Sequence, residues 1–442
     1  MNLAERLQRE PFQGYAYSYP HKMAYRELSP PVDLAPVWAA EDRSALFLYV
    51  HIPFCEVRCG FCNLFTSTGA SQSTVEVYLE TLGRHMDAAS DMLGEHHFAR
   101  AAVGGGTPTF LNEAELDRLF DLMADRLGFT GGGVPFSFEM SPSTVDPAKL
   151  RLLKNRGVTR ASIGVQSFLT SETRTLGRPQ DPAKLLKALE LIREAEFPIM
   201  NLDLIYGIQG QTKESWTETL QKALSVHPEE IFLYPLYVRP LTGLHRIGRD
   251  TASTRFELYE QGRDFLCANG YQQISMRLFR LASLDSTIHA GHGAAYCCQE
   301  DSMVGLGVGA RSYTDSLHYS TEYAVGQNGV RAIIEDYCRR KKGDFQKADY
   351  GCFLDDLERR RRYVIKSLLR RDGLDTAAYW KQFGSAVLED LPELRELFEL
   401  GLVEANGSRW QPTSRGLDFS DVIGPWLFSE SSRSRMDEFE LV

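Results

Sequence analysis

Between residues 44 and 240, short apolar runs alternate with segments of helical periodicity. The apolar runs predict strands at residues 44–53, 99–103, 135–140, 161–166, 200–206 and 230–238. The segments between them place apolar side chains on one helix face and predict helices, among them residues 113–127, 147–156, 182–196 and 213–225. Because strand and helix alternate, we expect parallel pairing through right-handed crossovers. The pattern therefore predicts an α/β fold, a partial (β/α)6 barrel of the TIM type.

After about residue 240 the pattern changes. It predicts a helix at residues 254–268, followed by a short apolar segment at 272–280 and a glycine-rich segment at 303–310. From about residue 355, helices precede a glycine-punctuated hairpin at 400–410, which is typical of a winged-helix-like α+β domain. We therefore expect four regions: an N-terminal arm (1–43), the barrel (44–285), a connecting and covering segment (286–354) and the C-terminal domain (355–442).

The composition is that of an ordinary soluble protein. Of the 442 residues, 43% are hydrophobic and 24% are charged, which argues against a disordered or fibrous chain. No apolar run has the length of a membrane span, and the first residues lack the apolar core of a signal peptide. We expect a cytoplasmic protein without a membrane partner. The net charge of −10 provides no general attraction to nucleic acid, so no nucleic-acid partner is expected.

Three of the eight cysteines are clustered directly after the first predicted strand, as Cys55, Cys59 and Cys62. Their C-x3-C-x2-C spacing places three soft ligands on one short loop, which suits an iron–sulfur cluster or zinc. No fourth cysteine follows at short range, and three protein ligands leave one metal position open, as in catalytic metal sites. The alternative is a structural zinc site completed by His51 or by a distant cysteine.

Several further segments occur in a fixed order along the chain. They are YVHIPFC at 49–55, GGGTPT at 104–109, FEMSP at 138–142, GVTRASIGVQSF at 157–168, LGR at 176–178 and NLDLIYGIQGQT at 201–212. Together with the cysteine spacing and Phe61 before the last cysteine, they resemble the motifs of radical S-adenosylmethionine (SAM) enzymes. The chain resembles most closely the HemN-like branch, which includes oxygen-independent coproporphyrinogen III oxidase. The resemblance covers roughly residues 44 to 315, and the C-terminal domain more loosely.

The resemblance implies a [4Fe–4S] cluster and one or two SAM molecules as cofactors. In this family the open iron of the cluster chelates SAM, and one electron cleaves SAM to methionine and a 5′-deoxyadenosyl radical. The partners implied are a small-molecule substrate and an electron donor such as flavodoxin or ferredoxin. The cluster ligands would be Cys55, Cys59 and Cys62, and the SAM-binding residues Tyr49, Phe61, Gly105, Gly106, Thr107, Glu139, Gln166, Arg178 and Asp203.

The residue types suit these implied roles. Glycines allow the backbone to approach a ligand closely, and the Thr107 hydroxyl adds a polar group. A carboxylate at Glu139 suits an ammonium group, and the guanidinium of Arg178 offers a fork for a carboxylate. Gln166 and Asp203 end the fourth and fifth predicted strands, where their side chains can bind ribose hydroxyls.

One departure from the oxidase pattern concerns the reaction. The oxidase carries a further cysteine two residues after the third, where this chain has Leu64. We therefore favour a two-SAM reaction, with methyl or methylene transfer to an unsaturated carbon by a methyltransferase or cyclopropanase-like enzyme. The alternative is an oxidoreductase of the porphyrinogen oxidase type.

A second departure concerns haem. Haem chaperones of this branch show HNxxYW, and the matching stretch here begins at His292 and ends at Cys297, which replaces the tryptophan. A haem chaperone or carrier remains the alternative from a different class. His292 and Cys297 are candidate catalytic residues, and Cys297 could donate a proton or hydrogen atom. Four arginines suit either an anionic substrate or salt bridges, and they are Arg239, Arg277, Arg280 and Arg311.

Overall fold

The computed structural model describes residues 2–16, 18–284 and 302–440. The chain divides into two compact units. Of the described residues, the small unit comprises 2–16, 18–26, 266–282 and 352–440, and the large unit comprises 27–265, 283–284 and 302–351. The N-terminal segment therefore belongs to the same unit as the C-terminal helices. Within the described residues, no helix has both the length and the apolar composition required to cross a bilayer.

The strands in chain order are β1 (Arg26–Asp33), β2 (Leu46–Ile52), β3 (Phe54–Cys55), β4 (Ser67–Thr68), β5 (Phe98–Gly105), β6 (Phe136–Met140), β7 (Arg160–Gln166), β8 (Ile199–Tyr206), β9 (Glu230–Pro235), β10 (Tyr271–Gln273), β11 (Leu278–Leu281), β12 (Met303–Leu306), β13 (Arg311–Tyr313), β14 (Leu317–Ser320), β15 (Lys347–Phe353), β16 (Leu374–Asp375), β17 (Val403–Asn406) and β18 (Arg409–Pro412).

The helices in chain order are α1 (Leu3–Leu7), α2 (Leu34–Ala39), α3 (Gln72–Leu93), α4 (Glu113–Leu127), α5 (Pro147–Asn155), α6 (Thr170–Thr175), α7 (Pro182–Glu194), α8 (Lys213–Leu224), α9 (Gly243–Arg246), α10 (Arg255–Ala268), α11 (Gln327–Arg339), α12 (Asp356–Leu368), α13 (Thr376–Phe383), α14 (Val387–Asp390), α15 (Arg395–Glu399), α16 (Ser414–Asp418), α17 (Ser420–Trp426) and α18 (Glu430–Asp437).

The sheet of the large unit has the strand order β1-β15-β14-β13-β12-β2-β5-β6-β7-β8-β9. All neighbours from β2 to β9 pair in parallel, with helices in the crossovers. This confirms the predicted α/β fold and its six parallel strands, which form the partial (β/α)6 barrel. The predicted boundaries are close, although β9 ends at Pro235 rather than at residue 238.

The sequence pattern did not predict the continuation of this sheet beyond β2. There, β12 pairs in parallel with β2, and β13 and β14 follow as antiparallel strands. The sequence pattern indicates only that the β12 segment is rich in glycine. Glycine is required at position 305 of this segment, because a Cβ there would lie 2.1 Å from the Arg311 carbonyl oxygen. Glycine here permits a close approach of the backbone and does not mark a loop.

The small unit contains the antiparallel three-stranded sheet β16-β18-β17, packed with helices α12 to α18. The hairpin of β17 and β18 corresponds to the hairpin predicted at residues 400–410, and the winged-helix-like α+β domain is confirmed. Tyr19 from the N-terminal segment is fully buried in the core of this unit, with Ile365, Leu397 and Leu402 among its members.

A buried ion pair also lies inside the small unit. The Arg277 guanidinium donates to both carboxylate oxygens of Asp421, at 2.9 and 2.6 Å, and the side chains are only 4% and 1% exposed. The same guanidinium lies over the Tyr15 ring, 3.6 Å from its centroid. Of the two interpretations of Arg277 from the sequence, the structure supports the salt bridge. In the large unit, Arg239 lies over the Tyr237 ring at 4.2 Å.

Replacement of Asp421 by alanine is expected to lower the free energy of unfolding by about 3–5 kcal/mol, because it leaves the Arg277 charge buried without its partner. The matched control is Asp264→Ala, which removes a carboxylate that is 68% exposed and pairs with Arg263 at 2.8 Å. This surface pair is expected to contribute about 1 kcal/mol or less. Urea unfolding of both variants measures the difference, and equal losses would contradict the assignment.

Candidate functional site

The cysteine loop follows the C-terminal end of β2. Cys55 ends the short strand β3, which pairs in parallel with β4, and is 8% exposed. Cys59 and Cys62 are partly buried, and the Cys62 amide donates to the Cys59 carbonyl at 3.1 Å. All three cysteines are free thiols. The loop therefore presents three sulfurs at the strand-end edge of the sheet, where parallel α/β proteins bind their ligands.

Gly60 holds this loop against the barrel. Its amide donates to the Leu176 carbonyl at 3.0 Å, and its carbonyl accepts from the Leu244 amide at 2.8 Å. A Cβ at Gly60 would lie 2.8 Å from the Leu176 carbonyl oxygen. The neighbouring Phe61 packs against an apolar cluster that includes Leu176 and Ile205. Backbone contacts on one side of the loop thus fix the position of Cys59 and Cys62.

The glycine segment at the end of β5 lies beside Cys55. The Gly106 amide donates to the Ile52 carbonyl and the Thr107 amide to the Phe54 carbonyl, both at 2.8 Å. The Thr107 hydroxyl donates to the Cys55 sulfur at 3.6 Å. A Cβ at Gly106 would lie 3.0 Å from that sulfur and 2.6 Å from the Phe54 carbonyl oxygen. Only glycine allows this approach.

Two carboxylates lie on the neighbouring strands. Glu139 on β6 accepts from the Gly105 amide at 3.1 Å, and a Cβ at Gly104 would lie 2.7 to 2.9 Å from its carboxylate. Burial and the nearby Asp203 raise the pKa of Glu139 to about 7. Burial also raises the pKa of Asp203 to about 6, although the Asn201 amide donates to it at 2.8 Å. Two carboxyl groups with raised pKa values suit a cationic ligand, because its positive charge would favour their ionised forms.

Gln166 and Arg178 complete this side of the site. Gln166 ends β7 with a φ of 68°, after a shift in register that follows Gly164. A Cβ at Gly164 would lie 2.8 Å from the Gln166 amide nitrogen and 3.1 Å from an Arg178 guanidinium nitrogen. The charge of Arg178 lowers the pKa of Asp203, Cys55 and Cys59 relative to the effect of burial alone. Arg178 therefore lies near both the cysteine loop and Asp203.

His51 is a further residue of the site, and the sequence indicates it only as a ligand of the alternative zinc site. Its Nδ1 lies 3.2 Å from the Tyr49 hydroxyl and its Nε2 lies 3.0 Å from the Phe65 carbonyl oxygen. A Cβ at Gly105 would lie 2.6 Å from the imidazole ring. Both ring nitrogens therefore have partners within the protein, and His51 orients Tyr49 and supports the Gly105 backbone. The alternative of a zinc site completed by His51 stays a prediction.

A buried ion pair between β7 and β9 was not predicted from the sequence. Arg160 Nε donates to the Glu230 carboxylate at 2.7 Å, and Arg160 Nη1 donates to the Ser137 hydroxyl at 3.0 Å. The Arg160 and Glu230 side chains are 6% and 0% exposed. The positive charge of Arg160 lowers the pKa of Glu139 and Asp203, in opposition to the effect of burial. The signal in the sequence was an arginine directly before the predicted strand at residues 161–166.

The residues present fit an iron–sulfur cluster. Burial raises the pKa of Cys55 to about 12 and raises that of Cys59, so both sulfurs are protonated thiols until a metal replaces the protons. The three thiol groups of the loop are the candidate ligands, and the cationic side chain of Arg178 lies nearby. Among the described residues, no three side chains converge on a position for a single metal ion. His292 and Cys297, the two candidate catalytic residues, lie outside the described residues.

The pKa of Glu139 predicts how the stability of the cofactor-free protein depends on pH. The native state keeps a proton with a pKa of about 7, whereas the unfolded chain releases it near the ordinary value of 4.5. The free energy of unfolding should therefore fall as pH rises through this range, by at most about 1.4 kcal/mol per pH unit for this group. Glu139→Gln is expected to reduce that slope in urea unfolding.

The control for this prediction is Glu113→Gln, which removes an exposed carboxylate in the first turn of α4. It is expected to keep the wild-type slope. If the free energy of unfolding depends on pH in the same way for Glu139→Gln and wild type between pH 4.5 and about 7, the Glu139 carboxyl does not hold the proton.

Two family models match the chain. One is the radical SAM superfamily, over residues 49–223, and the other is the HemN C-terminal domain, over residues 354–419. The chain is 28% identical over 428 residues to the oxygen-independent coproporphyrinogen III oxidase of Escherichia coli K12, covering 93% of this chain and 91% of that protein. It is 31% identical over 387 residues to the heme chaperone HemW of Bacillus subtilis 168, covering 86% of this chain and 98% of that protein.

The solved structure of coproporphyrinogen III oxidase (HemN) from Escherichia coli, a radical SAM enzyme, superimposes with a TM-score of 0.79 at 25% sequence identity. The superposition covers 94% of this chain and 97% of the other. It includes both the parallel sheet and the smaller domain with its antiparallel sheet. The chain therefore belongs to the radical SAM superfamily, in its HemN-like branch, and carries a HemN C-terminal domain.

Proposed function

We propose that this radical SAM enzyme abstracts a hydrogen atom from a small-molecule substrate, with its cluster on Cys55, Cys59 and Cys62. The family uses a [4Fe–4S] cluster and SAM as cofactors. When bound, the cluster supplies the electron that splits SAM into methionine and a 5′-deoxyadenosyl radical. The observation that supports this function is the placement of three free thiols on one loop, next to Arg178 and the carboxylates of Glu139 and Asp203. The electron donor, such as flavodoxin or ferredoxin, stays a prediction.

The residues around the cysteine loop would bind SAM as follows. The Glu139 carboxylate would accept a hydrogen bond from the amino group, and the Arg178 guanidinium would bind the carboxylate. Gln166 and Asp203 would bind the ribose hydroxyls. The remaining contacts would come from the backbone of Gly105 and Gly106, the Thr107 hydroxyl and the aromatic rings of Tyr49 and Phe61.

For the reaction itself we favour oxidation of a porphyrinogen-type substrate. The support is similarity over nearly the whole length of the chain to proteins named oxygen-independent coproporphyrinogen III oxidase. Methyl or methylene transfer with a second SAM stays a prediction. It rests on Leu64, which is 51% exposed at the position where the oxidase has an additional cysteine.

A haem chaperone or carrier is the second candidate function. It is favoured by the 31% identity to the heme chaperone HemW, which this chain covers over 98% of that protein's length. Haem titration of the purified protein separates the two functions. Stoichiometric binding with a Soret band that is lost in His292→Ala would favour the carrier, and absence of a Soret band would favour the enzyme.

The decisive experiment is anaerobic reconstitution with iron and sulfide, followed by addition of SAM and dithionite and chromatography of the nucleosides. Wild type is expected to form 5′-deoxyadenosine, and a triple variant with alanine at Cys55, Cys59 and Cys62 to form none. The control is Cys267→Ala, an exposed cysteine outside the loop. Full activity in the triple variant would refute the cluster assignment. S-adenosylhomocysteine formed together with 5′-deoxyadenosine and candidate substrate would support methyl transfer.

Gly106→Ala is expected to weaken both cluster and SAM binding, because its methyl group would lie 2.6 Å from the Phe54 carbonyl oxygen and 3.0 Å from the Cys55 sulfur. Forcing the two segments apart costs about 1–3 kcal/mol, so SAM affinity should fall about tenfold or more. Iron content per protein and equilibrium dialysis with labelled SAM measure the two effects. Gly132→Ala is the control, because no atom lies within 4 Å of its added Cβ; equal effects of both substitutions would contradict the prediction.

A further inference from the structure

The small unit contains an open recess of about 340 Å³ that no part of the proposed function uses. Three arginines line it: Arg6 from α1, Arg361 from α12 and Arg433 from α18. Trp426 and Phe428 form an apolar wall between them. We call this feature the arginine recess. Its volume is within the range of small-molecule sites, about 300–1,000 Å³.

The three arginines differ in their partners. Arg361 donates to Glu393 at 2.8 Å, and its charge is therefore paired. Arg6 donates to the side-chain oxygen of Gln13 at 3.3 Å, and Arg433 donates to the carbonyl oxygens of Trp426 and Phe428. Within residues 2–16, 18–284 and 302–440, neither Arg6 nor Arg433 forms an ion pair with a carboxylate. Two cations in the recess thus have only neutral acceptors.

These two cations also repel each other. Burial, the charge of Arg433 and the charge of Arg9 together lower the pKa of Arg6. The Nε atoms of Arg6 and Arg361 are buried and have no hydrogen-bond acceptor in the described part of the chain. A buried donor without an acceptor costs free energy, and so does the close approach of like charges. A bound anion would reduce both costs.

The walls of the recess add features that suit an anion with a ring. Ser429 lines the recess as the N-cap of α18, and its hydroxyl accepts from the Ser432 amide at 3.0 Å. The positive end of this helix therefore faces the same space as the arginines. Trp426, an aromatic residue of the lining, is partly exposed. The one carboxylate of the lining other than Glu393 is that of Glu430, which is exposed.

We propose that the arginine recess is a binding site for a small oxyanion of the carboxylate or phosphate class, held by Arg6 and Arg433. A guanidinium group presents two parallel donors that match the two oxygens of either group. A flat apolar portion of the ligand would lie against Trp426. The site is built entirely from the small unit and does not depend on the proposed function.

The test uses the full-length reconstituted protein at constant low ionic strength. Inorganic phosphate, acetate and benzoate are titrated separately, with the tryptophan fluorescence and the unfolding temperature as readouts. Wild type is expected to show saturable binding of at least one of these anions. Saturation by phosphate alone assigns the phosphate class, and tighter binding of benzoate than of acetate assigns an aromatic carboxylate. Absence of saturable binding for all three overturns the proposal.

Arg6→Gln is the informative variant, because among the described residues the Arg6 guanidinium donates to the Gln13 side chain, whereas that of Arg433 donates to the carbonyl oxygens of Trp426 and Phe428. It is expected to weaken anion binding about tenfold, a typical effect of losing a charge-assisted hydrogen bond. Arg395→Gln removes an equal charge at an exposed position of the same unit and is expected to bind as wild type does. Equal binding by wild type and Arg6→Gln, or equal losses in both variants, would overturn the proposal.

Discussion

The parallel register of β2 on β5 is the constraint on which the candidate site depends. It places His51 opposite Gly104 and Ile52 opposite Gly105, so the cysteine loop and the glycine segment leave the sheet side by side. The space between them is so small that a Cβ at Gly105 would contact the His51 ring and a Cβ at Gly106 would contact the Cys55 sulfur. A change in this register would separate the thiols from the backbone amides that flank them.

The electrostatics of the site follow from the same arrangement. Glu139, near the end of β6, and Asp203, within β8, are brought together in a buried space, and burial raises the pKa of Glu139 to about 7 and of Asp203 to about 6. The Arg160–Glu230 ion pair lies in the same interior. The charge of Arg160 lowers the pKa of both carboxyl groups against the effect of burial, whereas the charge of Glu230 raises that of Asp203. Because the pKa values of Glu139 and Asp203 are raised, a cationic ligand that binds beside them would favour their ionised forms. Shifted pKa values of this kind are common at binding sites.

The arginines of the small unit have two kinds of environment. Arg277 is stacked on Tyr15 and donates to both carboxylate oxygens of Asp421, so its charge is paired inside the core. Arg6 and Arg433 instead line an open recess, where their acceptors in the described part of the chain are neutral. The contrast separates a structural arginine from arginines that are available to a ligand.

The sequence by itself determined the six parallel strands, the crossover helices, the winged-helix-like domain and the motifs of the family, because each is encoded in local periodicity and spacing. It did not determine β12, since glycine at residue 305 serves a contact with Arg311 that lies across a hairpin. Nor did it determine that both ring nitrogens of His51 have partners, that Arg160 pairs with Glu230, or that residues 2–16 and 18–26 belong to one compact unit with the C-terminal helices. Only the tertiary structure decided these, because each depends on the distance between groups far apart in the chain.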